Sequence, residues 1–185
     1  MLNRIDEYNH LQEILITLEP KLLTEALLKL AIESHSAYMM VLSLASTTAG
    51  KIELFKENIH TITHQTRRST LSGKEILVTL HRSLEMLDPA MIDSKEGLLL
   101  MASFYETDSW ALESTTELDY EFELVYTDDG FKKFAEFARR CPDPEFVAQV
   151  VNKLLADNGY SMRTKLFDEA STFLPEAGLK MLRTR

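Results

Sequence analysis

The chain is expected to fold as an all-α protein, and three observations carry that expectation. Apolar residues recur at three- and four-residue steps along most of its 185 residues. Two acid-proline pairs, Glu19-Pro20 and Asp143-Pro144, each open an apolar stretch of similar design. Only 6 Gly and 5 Pro occur, too few for the many turns of a sandwich or barrel. Proline suits a first helical turn because its missing N–H would have no intrahelical partner there, and the preceding acid can cap the orphan amides. The arrangement expected is stacked antiparallel helical pairs, an irregular α-solenoid-like stack or bundle of about ten helices. Length alone favours one domain over 1–185, with at most a weak subdivision near 88–94.

The elements follow in order. Ile5, Tyr8, Leu11, Ile14, Leu15 and Leu18 predict an amphipathic helix ending before Pro20, and a second runs from Pro20 to about Glu33. Ala37 to Ala45 is apolar on all sides, which predicts a helix enclosed by others. After Gly50, the residues Ile52, Phe55, Ile59 and Ile62 share one helical face, and Arg67, Arg68 and Ser69 read as a link. Ser72-x-x-Glu75 is a capping box that starts a helix bearing Ile76, Leu77, Leu80, Leu84 and Leu87, stopped by Asp88-Pro89. Asp93-x-x-Glu96 reads as the next start, ahead of Leu98 to Met101, Phe104 and Tyr105.

Between Leu118 and Tyr126 the pattern alternates as a strand would, yet Leu118, Phe122 and Val125 also share a helical face. A lone strand has no partner in an otherwise helical chain, so a helix ending near Thr127-Asp128-Asp129-Gly130 is favoured. Phe131, Phe134, Phe137 and Ala138 form the next stripe, broken at Cys141-Pro142. The Asp143-Pro144 helix is expected to end at Asn158-Gly159, followed by a helix with Met162, Leu166, Ala170 and Phe173 and a short last one after Leu174-Pro175-Glu176. No 34-residue self-similarity supports a tetratricopeptide array.

Composition narrows the function classes. The net charge of −9 is concentrated in 96–131, which carries ten acids and no Lys or Arg. Such a chain repels a phosphate backbone, so nucleic acid is an unlikely partner; the one basic set is Lys132, Lys133, Arg139, Arg140, Arg163 and Lys165. The single cysteine, Cys141, fits a reducing, cytoplasmic setting, and lacks a base that would make it a nucleophile. No signal peptide is expected from the acidic start, and no apolar run is long enough for a membrane span.

Catalytic motifs are scarce. His60 and His64 lie four apart with Glu57 one turn away, a weak metal candidate, but Thr61 stands where a metalloprotease helix has its glutamate. His81 reads as a core-edge residue paired to a carbonyl, and His10 and His35 as surface or helix-end positions. No phosphate-binding glycine loop occurs, and no cofactor is expected. Glu106, Asp108, Glu113, Glu117, Asp119, Glu121 and Glu123 make the densest acidic stretch, and Trp110, Tyr105, Tyr120 and Tyr126 fall within it. Charge runs are usually solvated faces. As a partner-binding surface the set would be Trp110, Glu117, Asp119, Tyr120, Glu121 and Glu123, since aromatic residues are favoured anchors.

The segment Leu18-Glu19-Pro20-Lys21-Leu22-Leu23-Thr24-Glu25-Ala26-Leu27-Leu28-Lys29-Leu30-Ala31 resembles the opening of a bacterial all-helical domain family, some members of which are attached to SWIM-type zinc fingers. Thr127-Asp128-Asp129-Gly130, the stretch from Asp143-Pro144-Glu145 to Gly159-Tyr160, and the closing Leu174 to Arg183 are also similar to it. The resemblance covers about 15–185 and implies an all-α, repeat-like fold with no assigned activity. One cysteine cannot build the zinc finger itself. The function expected is a non-enzymatic helical scaffold or protein-interaction module with another protein as partner. The alternative is a Mg-dependent hydrolase acting on a phosphorylated small molecule, with Glu106, Asp108 and Glu113 as carboxylate ligands.

Overall fold

The computed structural model describes residues 4–64, 71–114, 118–156 and 160–182, with residues 4–6, 35 and 36 described by backbone alone. The expected all-α fold of about ten helices is what forms, and no strand occurs among the described residues. The expected link at Arg67-Arg68-Ser69 and terminator at Asn158-Gly159 lie outside the described residues. The chain divides into two compact units, Met1–Thr47 and Thr48–Arg185. The boundary is therefore at 47/48, and 88–94, where the sequence suggests a weak subdivision, is a turn inside the second unit.

The first unit contains α1 (Arg4–Thr17), α2 (Pro20–Glu33) and α3 (His35–Ala45). Pro20 opens α2 as expected, but Glu19 makes no side-chain cap bond. Its longer side chain does not make the short return to the amides that Asp makes at such positions. Ser34 serves both neighbours: its N–H donates to the Leu30 carbonyl, and its hydroxyl accepts from the Ala37 amide. Helix α3 packs on α2 across that residue. The enclosure expected for α3 is absent. None of the described side chains from 7 to 47 is fully buried, and Tyr38, Met40 and Leu44 stand exposed. Two packed helices offer each other one stripe apiece, so apolar residues on the remaining faces have nothing within the hairpin to cover them.

The second unit holds the core. It runs through α4 (Thr48–Thr63), α5 (Gly73–Met86), α6 (Ser94–Tyr105), α7 (Asp108–Ser114), α8 (Asp119–Leu124), a π-helical turn (Val125–Gly130), α9 (Phe131–Arg140), α10 (Pro144–Ala156), α11 (Thr164–Asp168), a 3-10 turn (Ala170–Thr172) and α12 (Glu176–Leu179). The predicted stripe Ile52, Phe55, Ile59 and Ile62 is buried on α4, which packs against α5. The Ser72–Glu75 capping box forms reciprocally, and Asp93 caps α6 by accepting from the Lys95 and Glu96 amides. Asp143 does the same at α10, accepting from Phe146 N at 3.0 Å.

Between 118 and 126 the chain is helical, and the strand alternative fails. The expected stop at Gly130 also fails. Gly130 keeps a helical φ of −62 and is buried, and the chain runs straight into α9. A Cβ at Gly130 would lie 3.0 Å from the Phe104 ring and from the Val125 carbonyl, so glycine is there for close approach. The helix expected from Met162 to Phe173 is likewise broken, into α11 and the 3-10 turn.

Helix α6 is the hub: Leu98, Met101 and Phe104 are fully buried, and α9 and α10 both pack on it. Gly97 lets α9 come close, since a Cβ there would sit 2.2 Å from two atoms of the buried Phe137 ring. Replacing glycine by alanine in a helix ordinarily gains about 1 kcal/mol. Here overpacking, typically ~1–3 kcal/mol, works against it. Gly97→Ala should therefore lower the melting temperature, read by circular dichroism; a rise would mean the Phe137 ring is free to move.

Three carboxylates give the unit an acid limit. Glu75 is held below its ordinary 4.5 by hydrogen bonds from the Ser72 hydroxyl and amide. Asp143 is held below 3.8 by Lys95 and then by the Phe146 amide, and Asp128 by Lys132. A carboxylate depressed on folding contributes stability above its unfolded value, and that contribution disappears as pH falls through the folded one. The denaturation midpoint should hold from neutrality down and fall below the ordinary values of 4.5 and 3.8. Glu75→Gln should blunt that fall, as measured by urea unfolding across pH.

Candidate protein-docking groove

A groove of about 520 Å³ lies between α4 and α6. Its origin is the helical repeat. On α6 the inward stripe leaves Glu96, Leu99, Ser103 and Glu106 facing out at three- and four-residue steps, and all four line the groove. On α4 the strip Lys56, His60, Thr63 and His64 flanks the buried stripe and forms the opposite wall. Phe55, Ile59 and Leu100 make the floor. Leu99 is 55% exposed, an apolar side chain at the open edge with no cover. The volume falls within the range of ligand pockets, about 300–1,000 Å³.

The polar walls are ordered by their own contacts. The His60 and His64 rings stack with centroids 4.0 Å apart and planes 4° from parallel. The Thr63 hydroxyl donates to the Ile59 carbonyl, and His64 Nδ1 lies 2.9 Å from that hydroxyl and 3.3 Å from the His60 carbonyl. Glu106 is paired to Lys153 of α10 at 3.1 Å, and Lys56 to Glu53 at 2.8 Å.

The sequence-predicted metal set does not converge. Bonds from two imidazoles to one ion lie in both ring planes, and parallel planes do not meet near the rings. Glu57 is exposed and does not line the groove. Among the described residues no group of three or more His, Cys, Asp or Glu side chains is placed to hold a metal ion.

The acidic-aromatic stretch separates into inner and outer halves. Tyr105 and Tyr126 are fully buried rather than part of a surface cluster. Tyr105 donates its hydroxyl to the Tyr126 carbonyl at 3.0 Å. Thr107 gives its proton to the Phe104 carbonyl, so the Tyr126 hydroxyl, 2.7 Å away, donates to Thr107. Burial keeps both phenols protonated far above the usual tyrosine range. Trp110, Asp119, Tyr120, Glu121 and Glu123 are exposed, and no side-chain hydrogen bond, ion pair or ring contact joins any two of these described residues. Glu117 lies outside the described residues.

Asp108 is the largest departure from the sequence reading. It is 2% exposed and bound bidentately by Arg163, Nε at 2.9 Å and Nη2 at 2.8 Å. Arg163 is 4% exposed, so it is not a surface cation; its Nη1 donates to the Leu154 carbonyl at 3.2 Å. The turn before α11 is tight, with Ser161 at a left-handed φ of 62, two residues ahead of Arg163. Glu106 and Glu113 are held by Lys153 and by the Tyr160 hydroxyl. The three carboxylates named as ligands thus each have a separate partner. His81 is exposed and faces the Asp129 carboxylate at 3.6 Å rather than a carbonyl.

Sequence reasoning missed Lys56, Glu96, Leu99 and Ser103. The available signal was Leu99 falling on the same strip as Glu96, Ser103 and Glu106. No family model, curated protein or solved structure matches the chain. No helix is long and apolar enough to cross a membrane among the described residues.

Removing one partner of a buried charge pair typically costs about 3–5 kcal/mol, because the other charge is left uncompensated. Arg163→Met should lose stability on that scale in urea unfolding. Adding Asp108→Leu should recover most of the loss. A single variant as stable as the parent would show that the pair is not desolvated.

Proposed function

We propose that this chain is a non-enzymatic helical scaffold that takes an apolar segment of another protein in the α4–α6 groove. One observation carries the reading: an apolar floor of Phe55, Ile59 and Leu100, with exposed Leu99 at its lip, runs between two polar walls. An amphipathic helix laid in such a groove buries its apolar anchors while its flanks meet the polar rims. Stacked His60 and His64 offer an aromatic surface on one wall, and Glu96 and Glu106 supply charge on the other. Membership in the bacterial helical family with SWIM-associated members, and a cytoplasmic location, belong to the same reading. The Mg-dependent hydrolase has less support, because Asp108 is committed to Arg163.

The test uses a displayed library of amphipathic helical peptides against the full chain and its Leu99→Glu variant. Peptides enriched on the parent should bind the variant at least tenfold more weakly, about 1.4 kcal/mol, with unchanged melting temperature. Equal binding to both would remove the groove as the site. A thermal shift in Mg²⁺ with turnover of a phosphorylated compound would move the assignment to the hydrolase.

A further inference from the structure

The outer face of α2 is complementary to itself under a two-fold rotation. Leu23, Leu27 and Ala31 form its half-buried stripe, and α3 packs on this helix. On the opposite side run Lys21, Glu25, Lys29 and Glu33, one every four residues with alternating sign. Between them stand Leu22 at 53% and Ile32 at 87% exposure. Two copies of this helix, laid antiparallel and crossing at the level of Leu27, bring Lys21 opposite Glu33 of the second copy. The same operation sets Glu25 against Lys29 and Leu22 against Ile32. Each pairing is symmetric about residue 27, so one axis satisfies all of them.

A solvated helix can also carry alternating charges four apart, each pair worth about 0.2–0.5 kcal/mol. Two features favour an occupant over solvent. None of these four charged side chains makes an ion pair within 4.0 Å among the described residues. The apolar residues between them, Leu22 and Ile32, are large and at least half exposed.

We infer that the chain forms a two-fold homodimer through the outer face of α2. The inference is independent of the groove and of what the groove binds. Closed two-fold pairing through one shared patch is also the commonest symmetry among soluble homo-oligomers.

The test is a charge exchange on the full chain, followed by sedimentation equilibrium at low salt. The parent should weigh twice its chain mass of 21.2 kDa. Lys21→Glu with Lys29→Glu makes the strip wholly acidic, and Glu25→Lys with Glu33→Lys makes it wholly basic. Each double variant alone should be monomeric, with unchanged helical circular dichroism, because all four positions are exposed. Mixing the two should restore the dimer mass, and raising the salt should weaken it. A monomeric parent overturns the inference. So does a parent dimer that survives both exchanges, or a mixture that stays monomeric.

Discussion

The buried pair between Asp108 and Arg163 is the constraint on which the second unit depends. The two residues are 55 positions apart, and both are almost without solvent. A carboxylate and a guanidinium each lose several kcal/mol of hydration in such a place, so neither stays there without the other. The fork geometry fixes direction as well as distance. It sets the start of α7 against the turn before α11, while Nη1 holds the Leu154 carbonyl in the last turn of α10. The C-terminal third of the chain is thereby tied to the end of α6.

Beside that pair, Tyr105, Thr107 and Tyr126 extend the fixed region to the π-helical turn. Every hydroxyl in the set has a determined role, since Thr107 spends its one proton on Phe104 and must accept from Tyr126. Buried polar groups that are all satisfied specify one arrangement and exclude its neighbours. No buried side-chain nitrogen or oxygen among the described residues lacks a partner. The end of α6 is held this way, and Glu106, the last groove residue on that helix, is placed by it.

The sequence made most helices legible because their signals are local. Capping at Ser72 and Asp93, proline at Pro20 and Pro144, and the stripe on α4 depend on residues within a turn or two of each other. Partners far apart in the chain were not legible. Asp108 looked like one of many acids and Arg163 like one of several cations, and only folding distinguishes them from Glu123 or Lys132. The same limit hid the groove. His60 was visible as a possible ligand, but its true neighbours across the gap, Leu99 and Ser103, come from a helix some forty residues away. Gly130 misled for a different reason: a glycine after two aspartates reads as a terminator, yet what decides it is the Phe104 ring beside it.

The apolar N-terminal helices expose the other limit of local reasoning. Periodicity says which faces must be covered and not by what. The sequence of α3 asks for neighbours on every side, and the Met1–Thr47 unit supplies one on one side. Forty-seven residues cannot enclose three apolar helices, since a chain that short buries too small a fraction of its surface. Association through α2 would cover the outer face of that helix. Paired through α2, two chains would present two grooves in one particle. A partner carrying two copies of the docking segment would then gain from effective concentration beyond what either groove offers alone. A scaffold of modest single-site affinity works in that regime, where binding depends on the number of linked contacts.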